Sequence, residues 1–227
     1  EAGEMYGNGK MTYKNGNIYE GKFHNGLMYG NGKMTYENGE VYEGQWINNC
    51  YNGKGKMTYE NGDIYEGQWQ WKKKHGTGKM IYENGDVYDG DWINDNKEGS
   101  GEMTYDNSNI YHKKTYDVYQ GQWRQDKKNG SGKIVYGLYG HEWVYEGQWL
   151  NDDYNGRGQI TYRDGETYEG EWLNNKPHGK GIHRYKNKDV YDGWWSRGEW
   201  RHGKMTYSHR ETYEGEWKNR FPEGKGK

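Results

Sequence analysis

One cysteine (Cys50), two prolines and two phenylalanines are all that 227 residues hold of those types. A lone thiol excludes an intrachain disulfide and favours a cytoplasmic setting. No apolar run approaches the roughly 20 residues that cross a bilayer as a helix, and no signal-peptide pattern is visible. Neither sign of charge is in excess: 32 Lys and Arg stand against 34 Asp and Glu, a net charge of -2. That balance offers no electrostatic footprint for nucleic acid and no general attraction to anionic lipid. Hydrophobic residues, Tyr included, reach 30%, a level at which a chain of ordinary composition fails to bury a core.

What is abundant resolves the difficulty. Aromatics make up 17% of the chain, with 25 Tyr and 12 Trp, beside 38 Gly. Disordered chains are poor in aromatics, so the core here is built from Tyr, Trp and Met. The phrase "YENGDIYEGQW" at 59–69 also recurs, at 36–46, 82–92 and 162–172 with small changes. The Tyr opening each Y-x-G-x-W unit falls at 19, 42, 65, 88, 119, 145, 168, 191 and 213, so successive spacings are 23, 23, 23, 31, 26, 23, 23 and 22. Eight extra residues lie between Tyr105 and Tyr119, and three between Tyr136 and Tyr145, at one point of the unit. One residue is missing after Trp195, where Arg201 replaces a Gly. A fixed period of this length marks a solenoid. Because the chain opens and closes in mid-phrase, it is expected to be a piece of a longer array.

Each unit reads as two short strands. Alternation puts Tyr65, Gly67 and Trp69 on one face and Glu66 and Gln68 on the other; Gly55, Met57 and Tyr59 oppose Lys56 and Thr58 in the same way. Asn-Gly between units suits a tight hairpin turn, while "INNCYNGK" and its equivalents read as a longer polar loop. On one face, aromatic rings are expected to lie across glycine gaps. On the other, rows of Glu and Lys should interleave and remain solvated, at ~0.2–1 kcal/mol per cross-strand pair. The predicted fold is all-β: an elongated, single-layer antiparallel β-hairpin solenoid of about nine 23-residue repeats, twisted, with an aromatic-lined concave groove. Residues 1–227 form one array, with an incomplete repeat at each end and insertions near 106–118 and 137–143.

The pattern Y-E-G-x-W, seven residues to G-x-G, then K-M-T-Y and an N-G turn, resembles the MORN (membrane occupation and recognition nexus) repeat across residues 5–226. Departures are the two insertions, Phe23 for Trp, His183 at a Met position and the shortened unit around Arg201. The resemblance implies a scaffold, as in cilia and radial spokes, protozoan cytoskeletal structures or membrane junctions. It also implies an array that grips a partner segment along the aromatic groove or pairs with itself. Other members are regulatory regions of lipid kinases, exchange factors or a lysine methyltransferase, and the family name points to phospholipid.

Little else suggests chemistry. His75, His178 and His202 belong to the repeat, and no His spacing suits zinc without cysteine partners. No helix pattern follows the Gly-x-Gly pairs, so they are not phosphate loops. No nucleophile elbow occurs. Neither catalysis, nor a metal, nor a cofactor is expected. The candidate partner-binding groove comprises Tyr19, Phe23, Tyr42, Trp46, Met57, Tyr59, Tyr65, Trp69, Tyr88, Trp92, Tyr119, Trp123, Tyr145, Trp149, Tyr168 and Trp172. Candidate edge contacts are Tyr111, Tyr116, Tyr139 and Trp143 at the insertions, with Trp194 and Trp200 as a surface aromatic pair; a tolerated bulge is the plain alternative. Lys72, Lys73 and Lys74 form a candidate anionic contact or, more plainly, a solvated loop. The expected role is a non-catalytic scaffold in a cytoskeletal or ciliary assembly (axonemal, radial-spoke-like), with protein partners and no nucleic acid. A phospholipid-binding membrane tether and the regulatory region of a larger enzyme are the alternatives.

Overall fold

The computed structural model describes residues 5–107, 115–137 and 143–224. Among them are nineteen β-strands and no helix. The chain divides into two compact units, Glu1–Asp106 with Arg124–Asp126, and Asn107–Trp123 with Lys127–Lys227.

Both units follow one plan of consecutive antiparallel hairpins. In the first, strand Cys50–Thr58 pairs with Val41–Ile47 on one side and Ile64–Gln70 on the other. Gly44 faces Gly55, Gly55 faces Gly67 and Gly67 faces Gly78, so glycines form a row across the strands. The Tyr ring of each first strand lies over that row. A Cβ on Gly55 would stand 2.3 Å from the Tyr42 hydroxyl, and one on Gly44 would stand 2.4 Å from the Gly55 Cα. Only glycine permits this approach, which explains the glycine content of a chain that is nearly all strand.

Both kinds of turn are tight, where only the Asn-Gly turn was expected to be. The supposed longer polar loop is a two-residue turn: Ile47 pairs with Cys50, and Asn48 and Asn49 both have positive φ, 49° and 63°. Short polar side chains tolerate that conformation best among non-glycine residues. The second strand therefore starts at Cys50 rather than Gly55, and a bulge at Gly44/Trp46 absorbs the extra length. Asn-Gly sits instead in a three-residue loop. Tyr59 N–H donates to the Asp63 carbonyl at 2.9 Å and Gly62 N–H to the Tyr59 carbonyl at 3.0 Å, with Gly62 alone left-handed, as in a type I turn with a glycine bulge.

The charged face has the expected register. In the first unit Glu43 faces Lys56, Lys56 faces Glu66, Glu66 faces Lys79 and Lys79 faces Asp89. Lys10 and Glu20 close to 2.7 Å, and in the second unit Lys133 and Glu146 to 3.8 Å. All four side chains are about half exposed or more, so these pairs contribute little to stability. In the second unit the basic row lapses at Gln159 and Ile182, which face Glu169 and Asp192.

Candidate partner-binding face

On the aromatic face each Trp stands edge-on to two tyrosines. Trp69 meets Tyr65 at 4.9 Å and 86°, and Tyr42 of the preceding hairpin at 5.7 Å and 88°. Trp172 does the same with Tyr168 and Tyr145. T-shaped contact suits the ring quadrupoles. The polar atoms are satisfied as well. Trp69 Nε1 donates to the Gly55 carbonyl at 3.1 Å and Trp172 Nε1 to Gly158 at 3.0 Å. The hydroxyls of Tyr42 and Tyr65 donate to the carbonyls of Gln45 and Gln68 at 2.9 and 3.0 Å. Buried aromatic polar groups with partners carry no desolvation penalty.

This ladder is the core of each unit and is closed to solvent. Tyr19, Phe23, Tyr42, Trp46, Met57, Tyr65, Trp69, Tyr88 and Trp92 in the first unit are all buried, as are Tyr119, Trp123, Tyr145, Trp149, Tyr168 and Trp172 in the second. Of the sixteen residues expected along the groove, Tyr59 alone is half-buried. Less covered on this face are Tyr59 and its equivalents, Tyr36 and Tyr82 in the first unit and Tyr136, Tyr162 and Tyr185 in the second. Burial pushes the Tyr82 phenol up to about 12 and holds the Tyr59 phenol above its ordinary range, so both present neutral hydroxyls.

A second row was hidden in the supposed loop, half-buried at Tyr51, Lys74, Lys97 and Pro177 and buried at Met28, Tyr154 and Trp200. The residue facing each Trp fills a slot over the Tyr anchor. In the first unit the slot residues are Met28 (facing Phe23), Tyr51, Lys74 and Lys97. In the second they include Tyr154, Pro177, Trp200 and Pro222. Tyr51 stacks on Tyr42 at 4.3 Å, Tyr154 on Tyr145 at 3.7 Å and Trp200 on Tyr191 at 4.4 Å. Lys74 places its ammonium 4.5 Å from the Trp92 ring centroid and 5.7 Å from that of Tyr65, within cation–π range. The two-residue polar turn starting two positions after each Trp is the signal that could have revealed this row.

Two expectations need correction. Trp200 is not a surface aromatic: it is 5% exposed on strand Glu199–Thr206, because the missing residue shortens the bulge and leaves the slot in register. Nor do the three lysines form one basic loop. Trp71 and Lys72 make the two-residue turn, with φ of 51° and 66°, and Lys73 begins a strand. Lys74 turns inward over the rings, where burial lowers its pKa against the opposing pull of Asp95 and Asp126.

Among the edge candidates, Tyr116 is exposed, and Trp194 is 54% exposed on the charged face, opposite Lys180. Trp143 stacks on Tyr136 at 3.9 Å and is half-buried. Tyr111 and Tyr139 lie outside the described residues.

Hollows occur on both faces. One of about 850 Å³ in the first unit and one of about 920 Å³ in the second are lined by the Glu and Lys rows and the glycines between them. The aromatic side of the second unit holds a hollow of about 440 Å³ lined by Tyr136, Trp143, Tyr154, Tyr162 and neighbours, and one of about 880 Å³ beside it. Among the described residues no three His, Cys, Asp or Glu side chains group as a metal site.

A protein-family model described as "MORN repeat" matches residues 1–18, 19–41, 42–64, 65–87, 88–110, 119–137, 145–167, 168–190 and 213–227. No curated protein matches the chain. Among solved structures the chain is similar to the TCP domain of SAS-4 (dCPAP) in complex with a proline-rich motif of Ana2 (dSTIL) of Drosophila melanogaster. The identity is 14%, covering 81% of this chain and 86% of that one, with a TM-score of 0.39.

Proposed function

The chain belongs to the MORN-repeat family, and from that premise we propose that it is a non-catalytic scaffold that holds an extended segment of a protein partner against its aromatic face. The observation that carries this reading is the division of labour on that face. The repeated Tyr, Trp and Gly positions are consumed by one another, whereas the half-buried slots vary among Tyr, Lys and Pro. A repeat array with a constant frame and variable accessible positions is suited to reading one partner segment over its length. The half-buried outer tyrosines add flat contact area with a hydroxyl at the tip.

The cellular setting we propose is a cytoplasmic, cytoskeletal assembly, with the cilium and its axoneme as the specific case. This rests on the behaviour of the family as a whole. Pairing with a second copy uses the same face and is the simplest competing occupant. A membrane tether is the second reading, supported by exposed Trp71, Lys72 and Lys73 at one turn.

Pull-down from native extract tests the first reading, comparing the chain with a Tyr36→Ser, Tyr82→Ser variant. Proteins retained by the former and lost by the latter support it; identical retention overturns it. Co-sedimentation with phosphatidylserine vesicles tests the tether, which fails if neutralising Lys72 and Lys73 leaves binding unchanged.

A further inference from the structure

The hollow of about 880 Å³ in the second unit is bordered by Trp143, Tyr162, His183, Tyr185, Lys186 and Arg220, and there the repeat departs furthest from its own pattern. His183 replaces a Met, and Trp200, edge-on to Tyr185 at 6.2 Å, occupies a slot in residues 191–212, which the family model leaves unmatched.

The charges at this hollow do not balance locally. Its carboxylates are engaged: Asp164 accepts from the Glu166 N–H at 3.2 Å, and Glu166 accepts from the Lys186 N–H at 3.4 Å while its other oxygen lies 3.4 Å from His183 Nε2. The cations Lys186 and Arg220 are not. Among the described residues neither has a carboxylate within ion-pair distance, and the Arg220 guanidinium sits 5.9 Å over the Trp200 ring. The polar tips here are also poorly satisfied. Trp200 Nε1 and the Tyr185 hydroxyl are buried and have only each other, short of a well-formed hydrogen bond, although the ladder indoles of this unit, such as Trp172 and Trp195, donate to glycine carbonyls. A buried donor left short of a full hydrogen bond is costly, and here that pair lies beside Lys186, Arg220 and the stacked walls of Trp143 and Tyr162.

We propose that this hollow anchors an acidic side chain of an extended partner peptide, its carboxylate held by Lys186 and Arg220 and its neighbouring residues against Trp143 and Tyr162. The inference rests on the partner-binding reading and names the chemistry of one contact within it. A peptide is favoured over a lipid surface because two unpaired cations fall short of the 4–8 basic residues typical of polybasic lipid sites.

The test is selection of a randomised, displayed peptide library on the intact chain, with rebinding to a Lys186→Gln, Arg220→Asn variant. Both positions are exposed, and Asn tolerates the φ of 65° at residue 220, so the variant keeps the fold. The expected result is enrichment of Asp or Glu at one fixed position. Affinity of the enriched peptides for the variant should fall roughly tenfold or more, as for loss of a close charge pair. Enriched peptides without an acidic position, or with unchanged affinity for the variant, overturn this inference and leave the partner-binding reading standing. No enrichment at all overturns both. Phosphatidylserine vesicles that bind the chain but not the variant, with no acidic peptide selected, reassign the hollow to lipid and also overturn it.

Discussion

The backbone N–H of Lys74 donates to Asp95 Oδ1, 2.9 Å away at the next two-residue turn. The same staple joins Lys97 to Asp126 at 2.9 Å and Lys128 to Asp152 at 2.9 Å. At two uncharged slots the acceptor is Asn: Met28 donates to Asn49 at 2.8 Å and Tyr154 to Asn175 at 2.7 Å. Slot and turn thus match in charge, a Lys over the rings with an Asp beside it.

That matching gives the first prediction. Asp95→Gly keeps the left-handed φ of 73° accessible but removes the acceptor, and should cost about 1 kcal/mol. Lys74→Met with Asp95→Asn reproduces the Met28–Asn49 arrangement and should be at least as stable as the native chain, since a half-buried cation is removed. Urea unfolding of the single and double variants measures both, with a coupling of about 0.5 kcal/mol or more expected between the sites.

Gly55→Ala should destabilise by about 2 kcal/mol or more, because its methyl group would occupy the space of the Tyr42 hydroxyl and displace the ring. Gly39→Ala is the contrasting case. Nothing lies within 4 Å of a Cβ there and only the φ of +90° resists, so the cost should be near 1–2 kcal/mol. Equal losses in tryptophan-fluorescence unfolding curves would refute the steric account.

Trp172→Phe keeps the edge-on contacts and deletes the indole N–H, leaving the Gly158 carbonyl without its 3.0 Å donor. A loss of roughly 1–2 kcal/mol is expected. Hydrogen exchange should show the opening confined to the hairpins on either side, since repeats couple mainly to their neighbours.

His183 supplies a pH dependence. Burial lowers its pKa from the ordinary 6.5, with Arg220 acting the same way and Glu166 and Asp164 opposing. The unfolded chain therefore takes up the proton first. Its stabilising contribution is complete above about 6.5 and is lost as pH falls through the window down to the depressed folded value. His183→Met should flatten that part of the stability profile between pH 7 and 5, as read from urea midpoints. An unchanged slope in the variant assigns the loss to the carboxylates instead.

The faces of every strand were legible from residue types, because side chains alternate along a strand whatever its neighbours do. Tyr65 with Trp69, and Glu66 with Lys56, fell where alternation put them. Slot residues such as Lys74 and Trp200 were not legible. Their neighbours "NN", "WK" and "RG" resemble generic loop composition, and only their fixed place two positions after each Trp marks where the chain reverses.

Residue identity alone carries the period, the glycine row under the tyrosines and the near-neutral charged face, because each follows from a pattern repeated within about 23 positions. The accessibility of the rings could not be read that way. Whether Trp69 is open to a partner or closed depends on Tyr42 and Gly55 from the hairpins before it, reaching its ring and its N–H. Those contacts exist only once strands are stacked in register. They convert the most repeated aromatics into core and leave less repeated positions, such as Lys74 and Arg220, half-buried or exposed.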